Sequence, residues 1–278
     1  MKNSVLLVAC ADQRGLVHAI TGRLLRVGAN VVSNQEFVDL ESRRFFMRTE
    51  FEGTVDCAQL AADVRAALPP DAEVSARRPA RRRVAILVSK EHHCLADLLV
   101  RHAYGELAAE VVAVAGNHDV LRPLAEKFGV PFFHAPSARI SREAHEEELL
   151  RILDPLRPDL LVLAKFMRVL TPGFVARWPE RTLNIHHSFL PAFAGAKPYH
   201  QAFARGVKVI GATAHFVTDE LDEGPIILQQ VIPVDHSYAP EDLIQAGRDV
   251  EQLVLSRALR LVLEDRVFLC GKRTVIFD

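Results

Sequence analysis

Apolar positions recur along this chain with two different rhythms. In the first eighty residues an apolar run at 4–11 gives way to the turn Asp12-Gln13-Arg14-Gly15. Leu16, Ile20, Leu24 and Val27 then recur at helical spacing up to Gly28, where a helix C-cap belongs. Strand-like runs follow at 30–40 and 44–52, a helix is predicted at 57–68 before Pro69-Pro70, and 72–76 reads as a last strand. The order βαββαβ is that of a ferredoxin-like α+β domain. From Val84 onward the rhythm changes to short apolar strands alternating with amphipathic helices. The strands are predicted at 84–89, 111–116, 131–134, 159–166, 181–187 and 209–217, with helices at 95–103, 120–128, 141–156, 172–178 and 198–205. That alternation predicts a mostly parallel sheet covered on both faces, with ligands beyond the carboxyl ends of its strands. A long helix at about 240–265 and a short strand near 274–277 close the chain.

The change of rhythm falls at residues 76–83, ARRPARRR, which reads as a basic, solvated linker. Two domains are therefore expected, 1–80 and 81–278. The formal net charge of −1 provides no global field for nucleic acid or an anionic membrane. No apolar run reaches the roughly 20 residues that span a bilayer, and the N-terminal run is too short for a signal peptide. Cys10, Cys57, Cys94 and Cys270 are scattered without a CxxC pair, which favours buried thiols in a reducing cytoplasm over a zinc or disulfide framework.

Candidate chemistry concentrates in NIHHSFLP (184–191) and GATAHFVTDELDEGPII (211–227). Strand side chains repeat every two residues, so Asn184 and His186 share a face and His187 is sent to the other. An Asn donor, a His and an Asp suit attack on an acyl carbon: the amide holds the developing oxyanion, the imidazole carries protons and the carboxylate fixes the tautomer. His186 read alone would be a packed structural histidine, and the acidic loop read alone a solvated one. His186, His187, His200, His215 and Asp222 also invite a metal-hydrolase reading, but no element carries an HxH or HxxxH pair. No metal is expected.

These segments, with LAKFMRVL (163–170) and HFVTDELDEGP (215–225), resemble the formyltransferase superfamily that uses 10-formyltetrahydrofolate. The resemblance implies a Rossmann-like formyltransferase domain with Asn184, His186 and Asp222 as the catalytic set. It also implies a pterin pocket formed by Phe166, Met167, Arg168, Val169, Leu170, His215, Val217, Thr218, Asp219, Glu220 and Leu221. His187, Lys197 and His200 would lie behind these groups. DQRGLVHAITGRLLRVGANV and FFMRTEF resemble an ACT domain, which implies an amino-acid effector site at Asp12, Gly15 and Asn30 and a homo-oligomer.

Within the superfamily, enzymes that formylate a ribonucleotide carry a Gly-rich phosphate loop after the first catalytic-domain strand. Here that strand continues into Ser89-Lys90-Glu91-His92-His93-Cys94, with no glycine. Enzymes that formylate initiator tRNA carry a C-terminal basic domain, to which no part of this sequence corresponds. SKEHHCLADLL, GNHDVLRPLAEKFGVPF and NIHHSFLPAFAGAKPYHQAF resemble the deformylase branch, in which water accepts the formyl group. The expected reaction is hydrolysis of 10-formyltetrahydrofolate to tetrahydrofolate and formate, with formate feeding purine biosynthesis and no cofactor beyond the folate. The alternatives are formyl transfer to an amine and a non-catalytic, ACT-regulated folate sensor.

Overall fold

The computed structural model describes residues 3–191 and 198–278. The chain forms two compact units, one reaching from the N-terminus to Ala80 and including Glu264–Asp278, the other Arg81–Leu263.

The first unit contains β1 (Ser4–Ala11), α1 (Leu16–Arg26), β2 (Asn30–Asp39), β3 (Arg44–Glu52), α2 (Cys57–Arg65) and β4 (Glu73–Arg77). Its sheet has the order β2-β3-β1-β4 and every pairing is antiparallel. The 3.6-residue rhythm read in the sequence turns Leu16, Ile20 and Leu24 of α1, with Leu60 and Val64 of α2, onto Leu6, Val8, Met47 and Phe51. The Asp56 carboxylate caps α2 by accepting from the amides of Ala58 and Gln59. This small antiparallel sheet with two helices fits the ferredoxin-like expectation.

The second unit begins with β5 (Arg82–Val88), α3 (His93–Ala103) and β6 (Ala109–Gly116). A 3-10 turn leads into α4 (Arg122–Lys127), then β7 (Phe132–His134), α5 (Arg142–Leu156), β8 (Leu160–Ala164) and α6 (Pro172–Val175). β9 (Thr182–His186), α7 (Pro198–Arg205), β10 (Val209–Phe216), β11 (Ile226–Pro233) and α8 (Pro240–Leu263) complete it. The sheet order is β11-β10-β9-β8-β5-β6-β7. The five strands from β9 to β7 are parallel, whereas β10 pairs antiparallel with β9 and β11 antiparallel with β10 at one side. All five residues of β8 are buried, as a central strand covered on both faces requires.

Three features differ from the sequence reading. β11 was not expected: its glutamines and terminal proline mask a half-buried edge strand whose partner is β10. The supposed linker is shorter than 76–83, because Arg77 belongs to β4 and Arg82 and Arg83 to β5. Arg83 is tied down by the Glu110 carboxylate at 3.1 Å and the Leu156 carbonyl at 3.0 Å. Finally, residues 264–278, expected in the catalytic domain, belong to the first unit. There β12 (Val267–Cys270) and β13 (Arg273–Ile276) form a hairpin whose Phe268, Cys270, Val275 and Phe277 pack on Ala9 and Phe46. Buried Arg48 fixes its base, donating to the carbonyls of Asp265 at 3.1 Å and Glu264 at 3.0 Å. No helix among the described residues is long and apolar enough to cross a membrane.

Candidate active site

The antiparallel pairing of β9 and β10 sets His215 opposite Asn184 and Thr213 opposite His186. The loop after β10 returns toward the same strands before β11 begins. Gly224 permits that return, since a Cβ there would stand 1.8 Å from the Phe216 carbonyl oxygen. Asp222 occupies the loop with a left-handed backbone, φ 57°, an unfavourable conformation for a residue with a Cβ.

A chain of hydrogen bonds assigns donors and acceptors. His215 Nδ1 lies 2.8 Å from the Phe216 carbonyl, which only accepts, so Nδ1 carries the proton and Nε2 offers a lone pair. Nε2 lies 3.2 Å from Asn184 Nδ2, which therefore donates one of its two protons there and keeps the other. His186 Nδ1 lies 3.2 Å from Asp222 Oδ2, and His215 Nε2 lies 3.8 Å from Asp222 Oδ1. With Nδ1 facing a carboxylate, the neutral His186 ring presents the lone pair of Nε2, a buried atom with no hydrogen-bond partner among the described residues. The His186 hydrogen bond and the neighbouring imidazoles hold the Asp222 carboxyl below its ordinary range, against the opposing effect of burial. Burial pushes His215 downward, which keeps it neutral.

These groups open onto a cavity of about 260 Å³. Asn184, His186 and Asp222 line it, and so does every residue expected in the pterin pocket: 166–170, His215 and 217–221. His187 lines it too, contrary to the strand alternation. β9 ends at His186, so alternation no longer governs the next residue, and the His187 ring stacks on His186 at 5.0 Å between centroids. Burial, then the charge of Lys165, lowers the His187 pKa to about 4. His200 is exposed on α7 and lines no part of this cavity. Lys197 lies outside the described residues. In the first unit, Asp12, Gly15 and Asn30 are exposed around the β1–α1 turn and the start of β2.

Lys165 lines the same cavity and was missed by sequence reasoning. Its ammonium lies 3.0 Å from Oε2 of Glu251 on α8. The same oxygen meets His93 Nε2 at 2.8 Å, while Oε1 accepts from the Tyr199 hydroxyl at 2.6 Å. The available sign was a glutamate on the apolar stripe of a helix, among Gly247, Val250, Val254, Leu255 and Ala258. Among the described residues, the set of donors close enough to share an ion is His93, Cys94 and Glu251, not the histidines singled out in the sequence. Their charges disfavour one. The Lys165 ammonium already occupies Glu251, and burial followed by the Glu251 charge pushes the Cys94 thiol well above its ordinary value, away from the thiolate that binds metals.

The family model for formyl transferases matches residues 82–259, nearly the whole second unit. A formyltetrahydrofolate deformylase of Escherichia coli strain K12 is 54% identical over 276 residues, covering 99% of each chain. The chain belongs to the formyltetrahydrofolate deformylase family. The crystal structure of a formyltetrahydrofolate deformylase from Pseudomonas syringae superposes with a TM-score of 0.96 at 38% identity, covering 100% of this chain and 95% of that one. A glycinamide ribonucleotide transformylase from Symbiobacterium toebii, at 35% identity and a TM-score of 0.68, covers 71% of this chain and 95% of its own. The deformylase likeness thus takes in both units.

Proposed function

We propose that this chain hydrolyses 10-formyltetrahydrofolate to tetrahydrofolate and formate, using Asn184, His186 and Asp222. The observation that carries the reading is Nε2 of His186, unpartnered among the described residues, on a cavity-lining ring whose Nδ1 is held by Asp222. Water attacks the formyl carbon while Nε2 takes one of its protons, and Asp222 stabilises the imidazolium. The free Asn184 proton meets the oxyanion as the carbon becomes tetrahedral. His186 then returns its proton to N10, the C–N10 bond breaks, and the formic acid released ionises to formate. The pterin lies against residues 166–170 and 217–221. No metal or cofactor takes part beyond the folate itself, and the formate feeds purine biosynthesis in the cytoplasm.

The test measures formate released from 10-formyltetrahydrofolate with and without an amine acceptor. Equal release in both supports hydrolysis; turnover that requires the amine overturns it in favour of transfer. Turnover should also survive exhaustive chelation.

The first unit acts in this reading as an ACT-type module that joins copies of the chain and takes an amino acid near Asp12, Gly15 and Asn30. Its βαββαβ order and the exposure of those residues support the assignment. Calorimetric titration with glycine or methionine, with light scattering for mass, tests it: a monomer that binds neither would overturn it.

A further inference from the structure

Leu163 of β8 pairs with Asn184 of β9, and Lys165, the first residue after β8, lines the same cavity as Asn184 and His186. Its backbone is left-handed, φ 61°, the second such non-glycine residue in the cavity wall after Asp222. Its side chain is 9% exposed and that of Glu251 only 1%. The carboxylate that holds it is rigidly built. Gly247 stands one turn before Glu251 on α8, and a Cβ there would come within 2.1 Å of the Tyr199 ring. The missing side chain lets the Tyr199 hydroxyl reach Oε1, while His93 and Lys165 share Oε2. An ammonium has three N–H donors, and among the described residues Glu251 is the recorded partner of Lys165. A buried cation with unused donors therefore faces the cavity that Asn184 and His186 line.

We propose that Lys165, aimed by Glu251, holds the oxygen contributed by water, first in the tetrahedral intermediate and then in the departing formate. This rests on the hydrolytic reading above. In the attack, the water oxygen bonds to the formyl carbon and loses one proton to His186, while the formyl oxygen becomes the anion held by Asn184. Lys165 donates a hydrogen bond to the water-derived hydroxyl and gives up no proton. When the C–N10 bond breaks and N10 receives the His186 proton, the hydroxyl becomes part of formic acid. Loss of its proton to solvent leaves formate beside the ammonium. Hydrolysis ends in an anion, whereas transfer to an amine ends in a neutral amide, so a resident cation favours the first outcome. An acceptor arriving as an ammonium would meet like charge.

The experiment compares kcat, KM and inhibition by formate in the wild-type full chain, Lys165→Met and His186→Ala. Lys165→Met should lower kcat about 100-fold, the scale of losing one donor to a developing charge. KM should stay within about threefold, because the pterin contacts remain, and the inhibition constant for formate should rise about tenfold or more. Wild-type kcat and formate inhibition in Lys165→Met would overturn the inference while leaving hydrolysis intact. So would a lower kcat with unchanged formate inhibition, the mark of a merely structural role, or a wild type that formate does not inhibit. Failure of the hydrolytic reading looks different: the wild type releases no formate, or His186→Ala retains turnover. If Lys165→Met strands Glu251 and does not fold, Lys165→Met/Glu251→Gln removes both charges and carries the same readouts.

Discussion

Two buried polar clusters stand side by side in the second unit, and they are finished to different degrees. Around Glu251 both carboxylate oxygens are occupied, by His93, Lys165 and Tyr199. Burial alone would raise the Glu251 pKa, yet the His93 hydrogen bond, the Lys165 charge and the Tyr199 hydroxyl bring it down to about 2. Around His186 the central group itself stops one atom short: Nδ1 is held by Asp222, but among the described residues Nε2 has no hydrogen-bond partner. The atom left open in the Glu251 cluster is instead the peripheral Nδ1 of His93, 4.0 Å from the Glu91 carboxylate. A buried polar atom without a partner is costly, so it persists in a fold where something else completes it. The closed cluster, with its carboxylate filled and His93 and Glu251 away from the cavity, reads as framework; the open one, whose free atom belongs to a cavity-lining residue, reads as the place where a reactant fits.

The sharpest way to break this distinction is to remove the open atom. His186→Ala should lower turnover by about 10²–10⁴-fold in a protein that still folds, its stability reduced by loss of the Asp222 hydrogen bond and of the stack on His187. Asp222→Asn should have a comparable kinetic effect, because its amide can donate to Nδ1 and reverse the tautomer on which the lone pair at Nε2 depends. Steady-state kinetics alongside calorimetric melting checks both. Wild-type turnover in His186→Ala would remove His186 from the chemistry.

Glu251→Ala should show the opposite pattern. It strands the Lys165 ammonium and the His93 ring in a buried site, and breaking such an arrangement costs about 3–5 kcal/mol. Urea unfolding should show that loss. A loss below about 1 kcal/mol would place the pair in the range of exposed ion pairs and discard the framework reading.

The open cluster was far more legible in the sequence than the closed one. Asn184 and His186 stand two apart on one short strand, which patterning brings forward, whereas Asp222 is raised above its acidic neighbours by the resemblance of HFVTDELDEGP to formyltransferases. Glu251 meets its partners across the fold: His93 on α3, Lys165 after β8 and Tyr199 on α7. Nothing near any of these residues announces the others, and only the charge on α8's apolar stripe betrays that a partner must exist. The same limit explains 264–278. Its apolar alternation predicts a strand, but which sheet it covers is decided by Ala9, Phe46 and Arg48, more than two hundred residues earlier. His187 was misplaced for a different reason: alternation holds only while the strand lasts.

Acid should dismantle the two clusters in sequence. His187 is held to a pKa of about 4 by burial and by Lys165. Between its unfolded value near 6.5 and about 4, the unfolded chain binds a proton that the folded chain refuses, so stability falls as pH falls through that window. The loss is about 3 kcal/mol when the window is crossed. Glu251, lowered to about 2, contributes stability that is present above its unfolded value and lost as pH falls toward about 2. The lowered Asp222 acts with the same sign. His187→Phe, which keeps a ring against His186 and Tyr199, should flatten the first window and leave the second. Urea unfolding at a series of pH values decides it, and an unchanged slope in the upper window would show that another group titrates there.

The smallest expected effect divides the closed cluster within itself. Tyr199 donates to Oε1 of Glu251, whereas Lys165 and His93 hold Oε2. Tyr199→Phe removes one hydrogen bond to a charged acceptor, worth about 1.5–3 kcal/mol. It keeps the ring that packs against Gly247 and His187. Because Oε2 retains both partners, Lys165 keeps its position and kcat should stay within about twofold of wild type. Thermal melting and initial rates measured on the same preparation give both numbers. A large fall in kcat with an unchanged melting temperature would mean that the hydroxyl takes part in moving a proton. Glu251 would then belong to the reacting cluster, and the boundary between framework and active site would have to be redrawn to include α7 and α8.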